Sequence, residues 1–222
     1  MVLDSISHKA HLDTDALGQV DLDSDILKSA VLFLYSTLEA IDQALLNRDS
    51  NRMAEMVELA NLSSMIGNLF RTGIVRASSG VFISNGPHKH PDLLHQSDLN
   101  SDVEIKVALE DNNPKGHLAK PGWHLTCHYV LCQPNGTFVA GRENRGNVAR
   151  LWLVRFGWLD EQDFNISNTS GDSGKTAVVN AQGMNKLLPV FFIPSFCPLR
   201  MTKRSAKSRK IFEHFALVYE PR

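Results

Sequence analysis

The segment His90–Glu110, HPDLLHQSDLNSDVEIKVALE, sets the fold and the site that we expect. Its second half, from Val103 to Leu109, is an apolar, β-branched run that predicts a strand. Because alternate strand residues share a face, Glu104 and Lys106 point to one side and the apolar residues between them point to the other. Charges on a core-forming strand need partners, so this pattern indicates a site.

A second carboxylate lies one hairpin before this strand. The polar residues 97–102 predict the turn that brings Asp92 close to Glu104. Mg²⁺ prefers oxygen ligands, and phosphodiester hydrolysis needs a cation to absorb charge on the phosphate. We expect Asp92 and Glu104 to bind Mg²⁺ through their carboxylates and Ile105 through its carbonyl. Lys106 would lie near the attacking water and favour its hydroxide form.

The length of 222 residues predicts one well-buried domain. We expect residues 1–23 to form an irregular or short-helical lead-in, residues 24–72 to be helical, and residues 80–222 to form a catalytic sheet with DNA-binding loops. The composition, 43% hydrophobic and 21% charged, is ordinary for a globular protein.

Membrane and disulfide-dependent classes are not indicated by the sequence. No apolar run approaches the roughly 20 residues that span a bilayer, and the N-terminus lacks the basic-then-apolar order of a signal peptide. Three cysteines without CxxC spacing predict neither a disulfide framework nor a zinc knuckle. We therefore expect a cytoplasmic protein without a membrane partner.

The net charge of −1 hides an uneven distribution of charge. Residues 1–25 contain six aspartates against one lysine, so the remainder of the chain is net positive. Residues 200–210, RMTKRSAKSRK, carry six cations and no anion. Such a tract attracts polyanions even when the whole chain is nearly neutral.

Two helices precede the sheet in the sequence pattern. Apolar residues recur at three- and four-residue steps from Leu27 to Leu45, behind a cap at Ser24 or Asp25. A second helix is expected from Asp49 or Ser50 to about residue 70. Its polar face carries Glu55, Glu58 and Asn61; these are either a solvated face or, at Glu58, a carboxylate that reaches the metal site.

Short apolar runs separated by polar turns predict a mixed α/β fold around one central sheet, with N-terminal helices. The segments 111–123 and 165–175 are expected to be loops. The expected strands are Val81–Ile83, Pro91–Leu94, Val103–Leu109, His124–Leu131, Val148–Leu159 and Leu187–Ile193.

The pair Pro91-Asp92, eleven intervening residues, and then Glu104-Ile105-Lys106 resembles the signature of the PD-(D/E)xK nucleases, which include many type II restriction endonucleases. The resemblance covers roughly residues 55–133. It implies a restriction-endonuclease-like fold, a Mg²⁺-dependent DNA cleavage centre built from Asp92, Glu104 and Lys106, and a homodimer on a palindromic site. By the same resemblance, Glu58 is at the place of an extra helix-borne carboxylate in some members.

Basic residues outside the signature are candidates for contact with DNA phosphates, the alternative being ordinary solvated charges. Three lie in the Gly/Pro loop after the Glu104 strand, and six lie in the basic tract. They are Lys115, His117, Lys120, Arg200, Lys203, Arg204, Lys207, Arg209 and Lys210. Arg142, Asn144, Arg145, Asn147, Asn180, Gln182 and Asn185 are candidate base readers, by the pairing of Arg with guanine and of Asn or Gln with adenine.

The remaining histidines fit less specific roles. His88, His90 and His95 are expected to be loop or phosphate-contact residues, because no second group stands at metal-ligand spacing. His124 and His128 share one face of a predicted strand and are expected to pack there.

The function expected from these observations is site-specific, Mg²⁺-dependent hydrolysis of double-stranded DNA by a type II restriction endonuclease. A Holliday-junction resolvase or repair endonuclease uses the same core and is the alternative within nucleases. A non-catalytic DNA-binding domain is the alternative from another class.

Overall fold

A computed structural model of the chain describes residues 10–86, 89–117, 119–167, 176–199 and 206–218. The fold is α/β, with a mixed seven-stranded central sheet flanked by helices and a second sheet of three strands. The fold class predicted from the sequence is therefore confirmed.

The N-terminal region contains a long helix, α1 (Ser24–Leu46), a single turn, α2 (Met53–Met56), and a second long helix, α3 (Leu59–Ala77). The cap of α1 is Asp23, whose carboxylate accepts hydrogen bonds from the backbone N–H groups of Asp25 and Ile26, both at 2.8 Å. The prediction of Ser24 or Asp25 was wrong by one or two residues, and the predicted second helix divides into α2 and α3.

The length and composition of α1 would allow it to cross a membrane, since its best window has a mean hydropathy of 1.2. Its apolar face is instead used inside the fold, where Leu27, Leu34 and Tyr35 are buried. Gly73 of α3 lies so close to Ala30 of α1 that a Cβ at Gly73 would be 2.7 Å from the Ala30 Cα atom. We therefore assign α1 as a core helix of this fold.

The strands of the central sheet are β1 (His11–Leu12), β2 (Phe82–Ser84), β3 (Leu93–His95), β4 (Val103–Leu109), β6 (Gly122–Cys132), β7 (Val148–Leu159) and β10 (Leu188–Phe192). Their order across the sheet is β1-β10-β7-β6-β4-β3-β2. The pair β4–β6 is parallel, whereas the other neighbouring pairs of this sheet are antiparallel. The predicted bounds of β4 and β7 are confirmed, but β3 begins two residues later than predicted.

The second sheet has the order β5-β9-β8 and consists of β5 (Lys115–Gly116), β8 (Phe164–Ser167) and β9 (Thr176–Val179). Two predicted loops are thereby corrected. The segment 111–123 contains β5, because its backbone pairs with β9, and 165–175 begins inside β8. Residues 168–175 lie outside the described residues.

The described residues near both ends of the chain form regular elements. A 3₁₀ turn, Asp15–Val20, buries Leu17 and Val20 completely, so the lead-in is short-helical over these residues, and its residues His11 and Leu12 form β1 of the central sheet. Two short helices, α4 (Ala181–Lys186) and α5 (Ala206–His214), complete the α-helices among the described residues.

The two faces of the central sheet differ in chemistry. One face of β4 packs on α3, where a Cβ at Gly67 would be 3.2 Å from Val107. The other face carries Glu104 and Lys106, as strand alternation predicted, and the second sheet lies against it. Gly116 of β5 approaches the Lys106 ammonium, and β8 places the ring of Phe164 5.8 Å from the ring of His124 on β6.

Candidate active site

Asp92 is held at the end of the β2–β3 hairpin, directly before β3. The Asn85 side chain donates to the Pro91 carbonyl at 2.9 Å, and its backbone N–H donates to the Asp92 carbonyl at 3.0 Å. The Asp92 carboxylate turns toward β4, where its Oδ2 accepts from the Ile105 N–H at 2.9 Å. Its Oδ1 lies 3.4 Å from Nη1 of Arg71, which extends from α3.

Glu104 and Lys106 form an ion pair on β4, with Lys106 Nζ donating to Glu104 Oε1 at 3.1 Å. The lysine is only 6% exposed, and its ammonium lies beneath Gly116 of β5. The second carboxylate oxygen of Glu104 lies 3.6 Å from Nε2 of His90. The hairpin, the strand and the covering strand thus bring Asp92, Glu104 and Lys106 into one cluster, as expected from the sequence.

The carboxylate of Asp92 is perturbed by burial and by its neighbour Glu104. Burial and the charge of Glu104 raise the pKa of Asp92 to about 6, against the opposing effects of the Ile105 N–H and the Arg71 guanidinium. The ionised pair is therefore disfavoured electrostatically, and a cation placed between the carboxylates would relieve that repulsion.

The imidazoles near the cluster are kept neutral by their surroundings. Burial, followed by the charges of Lys120 and Lys106, lowers the pKa of His90. On β6, burial and the charge of Lys106 lower the pKa of His124 to about 3. Both imidazoles are consequently uncharged at neutral pH and do not compete with a metal for the carboxylates.

The donor set fits a hard divalent cation. The N–H and C=O of one strand residue point to the same side of the strand. Since the Ile105 N–H points at Asp92, the Ile105 carbonyl faces that same side and not β6. Two carboxylates and a carbonyl match the way Mg²⁺ binds, with waters completing the shell. Among the described residues, no group of three or more His, Cys, Asp or Glu side chains converges to form an all-protein cage.

Glu58 does not belong to this cluster. It precedes α3 in an extended conformation and is exposed. Arg71, which contacts Asp92, lies thirteen residues further along the chain, roughly 20 Å along the helix axis at about 1.5 Å per residue. The carbonyl of the next residue, Leu59, instead accepts from Tyr129, which pairs with the far end of β4. The expectation that Glu58 reaches the metal site is corrected.

Of the candidate DNA-contacting residues in the 111–123 segment, Lys115 is the first residue of β5, and His117 and Lys120 follow that strand. Lys115 and His117 are exposed, and Lys120 is half-buried close enough to His90 to lower its pKa. The charge of Lys120 thus acts on His90, which lies 3.6 Å from Glu104.

The basic tract is described only from residue 206 onward, and Arg200, Lys203 and Arg204 lie outside the described residues. Lys207, Arg209 and Lys210 lie on α5, and Lys207 Nζ donates to the carbonyl of Asp111 at 3.1 Å. Asp111 follows the C-terminal end of β4, whereas Glu104 is near its start. Glu104 and Leu109 are roughly 16 Å apart at about 3.3 Å per residue, so the helix and the carboxylate pair lie at opposite ends of the strand.

Several candidate base readers have structural roles. Arg145 Nε donates to Glu110 Oε1 at 2.7 Å, Asn144 donates to the Ala140 carbonyl at 2.9 Å, and Asn180 caps α4. These side chains are held by the protein, whereas Arg142, Gln182 and Asn185 are exposed and remain candidates.

The structure also changes the view of the histidines. His95 is buried on β3 with its Nε2 3.0 Å from Asp21, so it is a core residue and not a loop residue. His124 and His128 are buried, as their expected packing role requires. His88 lies outside the described residues.

Sequence reasoning missed Arg71, the cation that contacts Asp92. No motif marks it, because a single arginine on the polar side of an amphipathic helix is an ordinary surface residue. Only the packing of α3 beside the hairpin gives it this role.

Comparison with known proteins adds no assignment to this geometry. No model of a protein family matches the chain, and no curated protein matches it.

Proposed function

We propose that this protein is a Mg²⁺-dependent, site-specific double-stranded DNA endonuclease of the PD-(D/E)xK type. It acts as a homodimer in the bacterial cytoplasm and cuts a short palindromic site, because a two-fold symmetric protein presents equivalent active sites to equivalent strands.

The observation that carries the proposal is the contact of Asp92 with β4 next to the Glu104–Lys106 ion pair. Asp92 Oδ2 accepts from the Ile105 N–H at 2.9 Å, and Lys106 Nζ lies 3.1 Å from Glu104 Oε1. Two carboxylates, a carbonyl and an ammonium are the groups that metal-assisted phosphodiester hydrolysis uses.

Each residue has a distinct role in the proposed reaction. Asp92, Glu104 and the Ile105 carbonyl would hold Mg²⁺. When bound, Mg²⁺ would supply Lewis acidity at the phosphate and lower the pKa of a water molecule. Lys106 holds the attacking water through its ammonium and stabilises the hydroxide form. The 111–123 segment and α5 contact DNA phosphates through their lysines and give affinity without base identity.

A closed-circular plasmid of known sequence, incubated with MgCl₂ or with EDTA, tests the proposal. We expect discrete fragments with MgCl₂ only, and a loss on the order of 10²–10⁴-fold in rate for Asp92→Ala and Lys106→Ala. Glu58→Ala is the matched carboxylate control and keeps full activity, because it lies far from the cluster. Full cleavage by Asp92→Ala or Lys106→Ala would refute the assignment, and a preference for branched over linear DNA would indicate a resolvase or repair enzyme.

One observation favours a non-catalytic DNA-binding domain as the second candidate. Arg71 and Lys106 already balance the charges of Asp92 and Glu104 without an added ion. In that case the plasmid binds in a salt-dependent manner and no strand scission occurs with any divalent cation.

A further inference from the structure

A second polar cluster lies further across the sheet face that bears Glu104 and Lys106. Thr126 of β6 pairs with Lys106 on one side and with Arg155 of β7 on the other. His128 follows two residues later on β6 and so shares this face. These three side chains are almost inaccessible, with exposures of 0% for Thr126, 1% for His128 and 8% for Arg155.

Each of the three side chains contains a buried polar atom that has no hydrogen-bond partner among the described residues: Thr126 Oγ1, His128 Nε2 and Arg155 Nε. Arg155 uses Nη1 to donate to the Leu187 carbonyl at 3.2 Å. Among the described residues, no carboxylate forms an ion pair with it. A buried guanidinium without a counter-ion is costly, and burial lowers the pKa of Arg155 to about 10. The cluster therefore lacks an anion.

Lys207 of α5 adds a second positive charge beside the cluster. The charges of Lys207 and Arg155 both lower the pKa of His128, and the side chain of Lys207 is 42% exposed. The nearby anion is Asp111, whose carboxylate lies 3.8 Å from Lys207 Nζ and is half-exposed. Two cations thus face one partly solvated carboxylate, which leaves the cluster net positive.

The hydrogen bonds of His128 define the proton pattern that a ligand must match. Its Nδ1 lies 3.3 Å from the carbonyl of Glu110, and a carbonyl only accepts, so Nδ1 carries the proton. Burial lowers the pKa of His128 to about 3, which leaves the ring neutral and Nε2 with a free lone pair. A ligand must therefore accept from Arg155, exchange a hydrogen bond with Thr126, and donate to His128.

We propose that Thr126, His128 and Arg155 bind a phosphate group that carries a P–OH, entering beside Lys207. Hydrogen phosphate and phosphomonoesters have both the acceptor oxygens and the hydroxyl donor. Sulfate has no proton to donate at neutral pH. The phosphodiesters within a DNA strand also lack the hydroxyl, so this site is independent of the proposed cleavage of DNA.

Thermal unfolding of the full chain with inorganic phosphate, compared with sulfate at equal ionic strength, tests the site. Both anions stabilise proteins in general, so the signal is the excess rise in Tm with phosphate. At about 100 times Kd, we expect an excess of roughly 5–10 °C for a chain of this size. A mononucleotide 5′-phosphate in place of inorganic phosphate distinguishes a phosphomonoester from the free ion as the better ligand.

Single substitutions test whether the excess rise in Tm with phosphate depends on Thr126 and Arg155. Arg155→Met and Thr126→Val should lose the excess, and Arg155→Met should keep or raise its Tm in phosphate-free buffer, because it no longer buries an uncompensated charge. Arg150→Met is the matched control, since this arginine of β7 is also buried but packs over the ring of Tyr35 at 4.9 Å. An equal response to phosphate and sulfate in the wild type would overturn the proposal. The proposal would also be overturned if the excess rise in Tm with phosphate persisted in Thr126→Val. This near-isosteric variant keeps the test valid if Arg155→Met fails to fold.

Discussion

Gly116 controls the position of the Lys106 ammonium, and this gives a sharp test of the candidate active site. A Cβ at Gly116 would lie 2.7 Å from Lys106 Nζ and 3.7 Å from its Cε, with no other atom within 4 Å. Ordinary contact begins near 3.4 Å, so in Gly116→Ala the ammonium has to move by about 0.7 Å. The atom that moves is the end of a flexible side chain, so the backbone need not shift.

The expected effect falls on the rate and not on stability. Misplacement of a catalytic group by about 1 Å can cost on the order of 10²-fold in rate, so we expect Gly116→Ala to cleave DNA roughly 10- to 100-fold more slowly. Its free energy of unfolding should change by less than about 1 kcal/mol, because replacing Gly by Ala also lowers the entropy of the unfolded chain.

Initial rates of plasmid cleavage with MgCl₂ and urea unfolding of the same preparations would measure the two effects. Gly18→Ala is the matched control, since a Cβ at Gly18 meets nothing within 4 Å. A folded Gly116→Ala variant that cleaves at the wild-type rate would refute the role of Lys106 in placing the attacking water. A large loss of stability would instead contradict the view that only the ammonium yields.

Two further predictions concern stability. The raised pKa of Asp92, about 6 in the folded state, means that the folded protein binds a proton that the unfolded chain releases near pH 4. The free energy of unfolding in EDTA should therefore fall as the pH rises from about 4 to about 6. Asp92→Asn should be more stable than wild type by on the order of 1–3 kcal/mol at pH 7, but not at pH 4. Urea unfolding that gives the same difference between the two proteins at both pH values would disprove this. Gly73→Ala should lower the free energy of unfolding by about 1–3 kcal/mol, because its Cβ would be 2.7 Å from Ala30 Cα, a backbone atom that cannot rotate away. If the Tm of Gly73→Ala equals that of Gly18→Ala, the two helices α1 and α3 separate easily and this reasoning is wrong.

Local sequence determined the elements whose pattern is self-contained. The alternation of Glu104 and Lys106 with apolar residues predicted both the bounds of β4 and the face on which the two charges lie. The apolar run of residues 148–159 likewise predicted β7. Such predictions succeed because a strand of half-buried residues needs only its own periodicity to define its faces.

Contacts between distant segments decided the rest. Arg71 reaches Asp92 from α3, and β5 covers Lys106 because its backbone pairs with β9 some sixty residues later. Glu58 was expected near the carboxylate pair, but its position before α3 places it near the opposite end of β4. Sequence spacing measures distance along the chain only, whereas the partner that each buried charge finds depends on how the helices and the two sheets pack. The sequence by itself thus determined the carboxylates and the lysine of the candidate site, and only the tertiary structure decided what surrounds, neutralises and covers them.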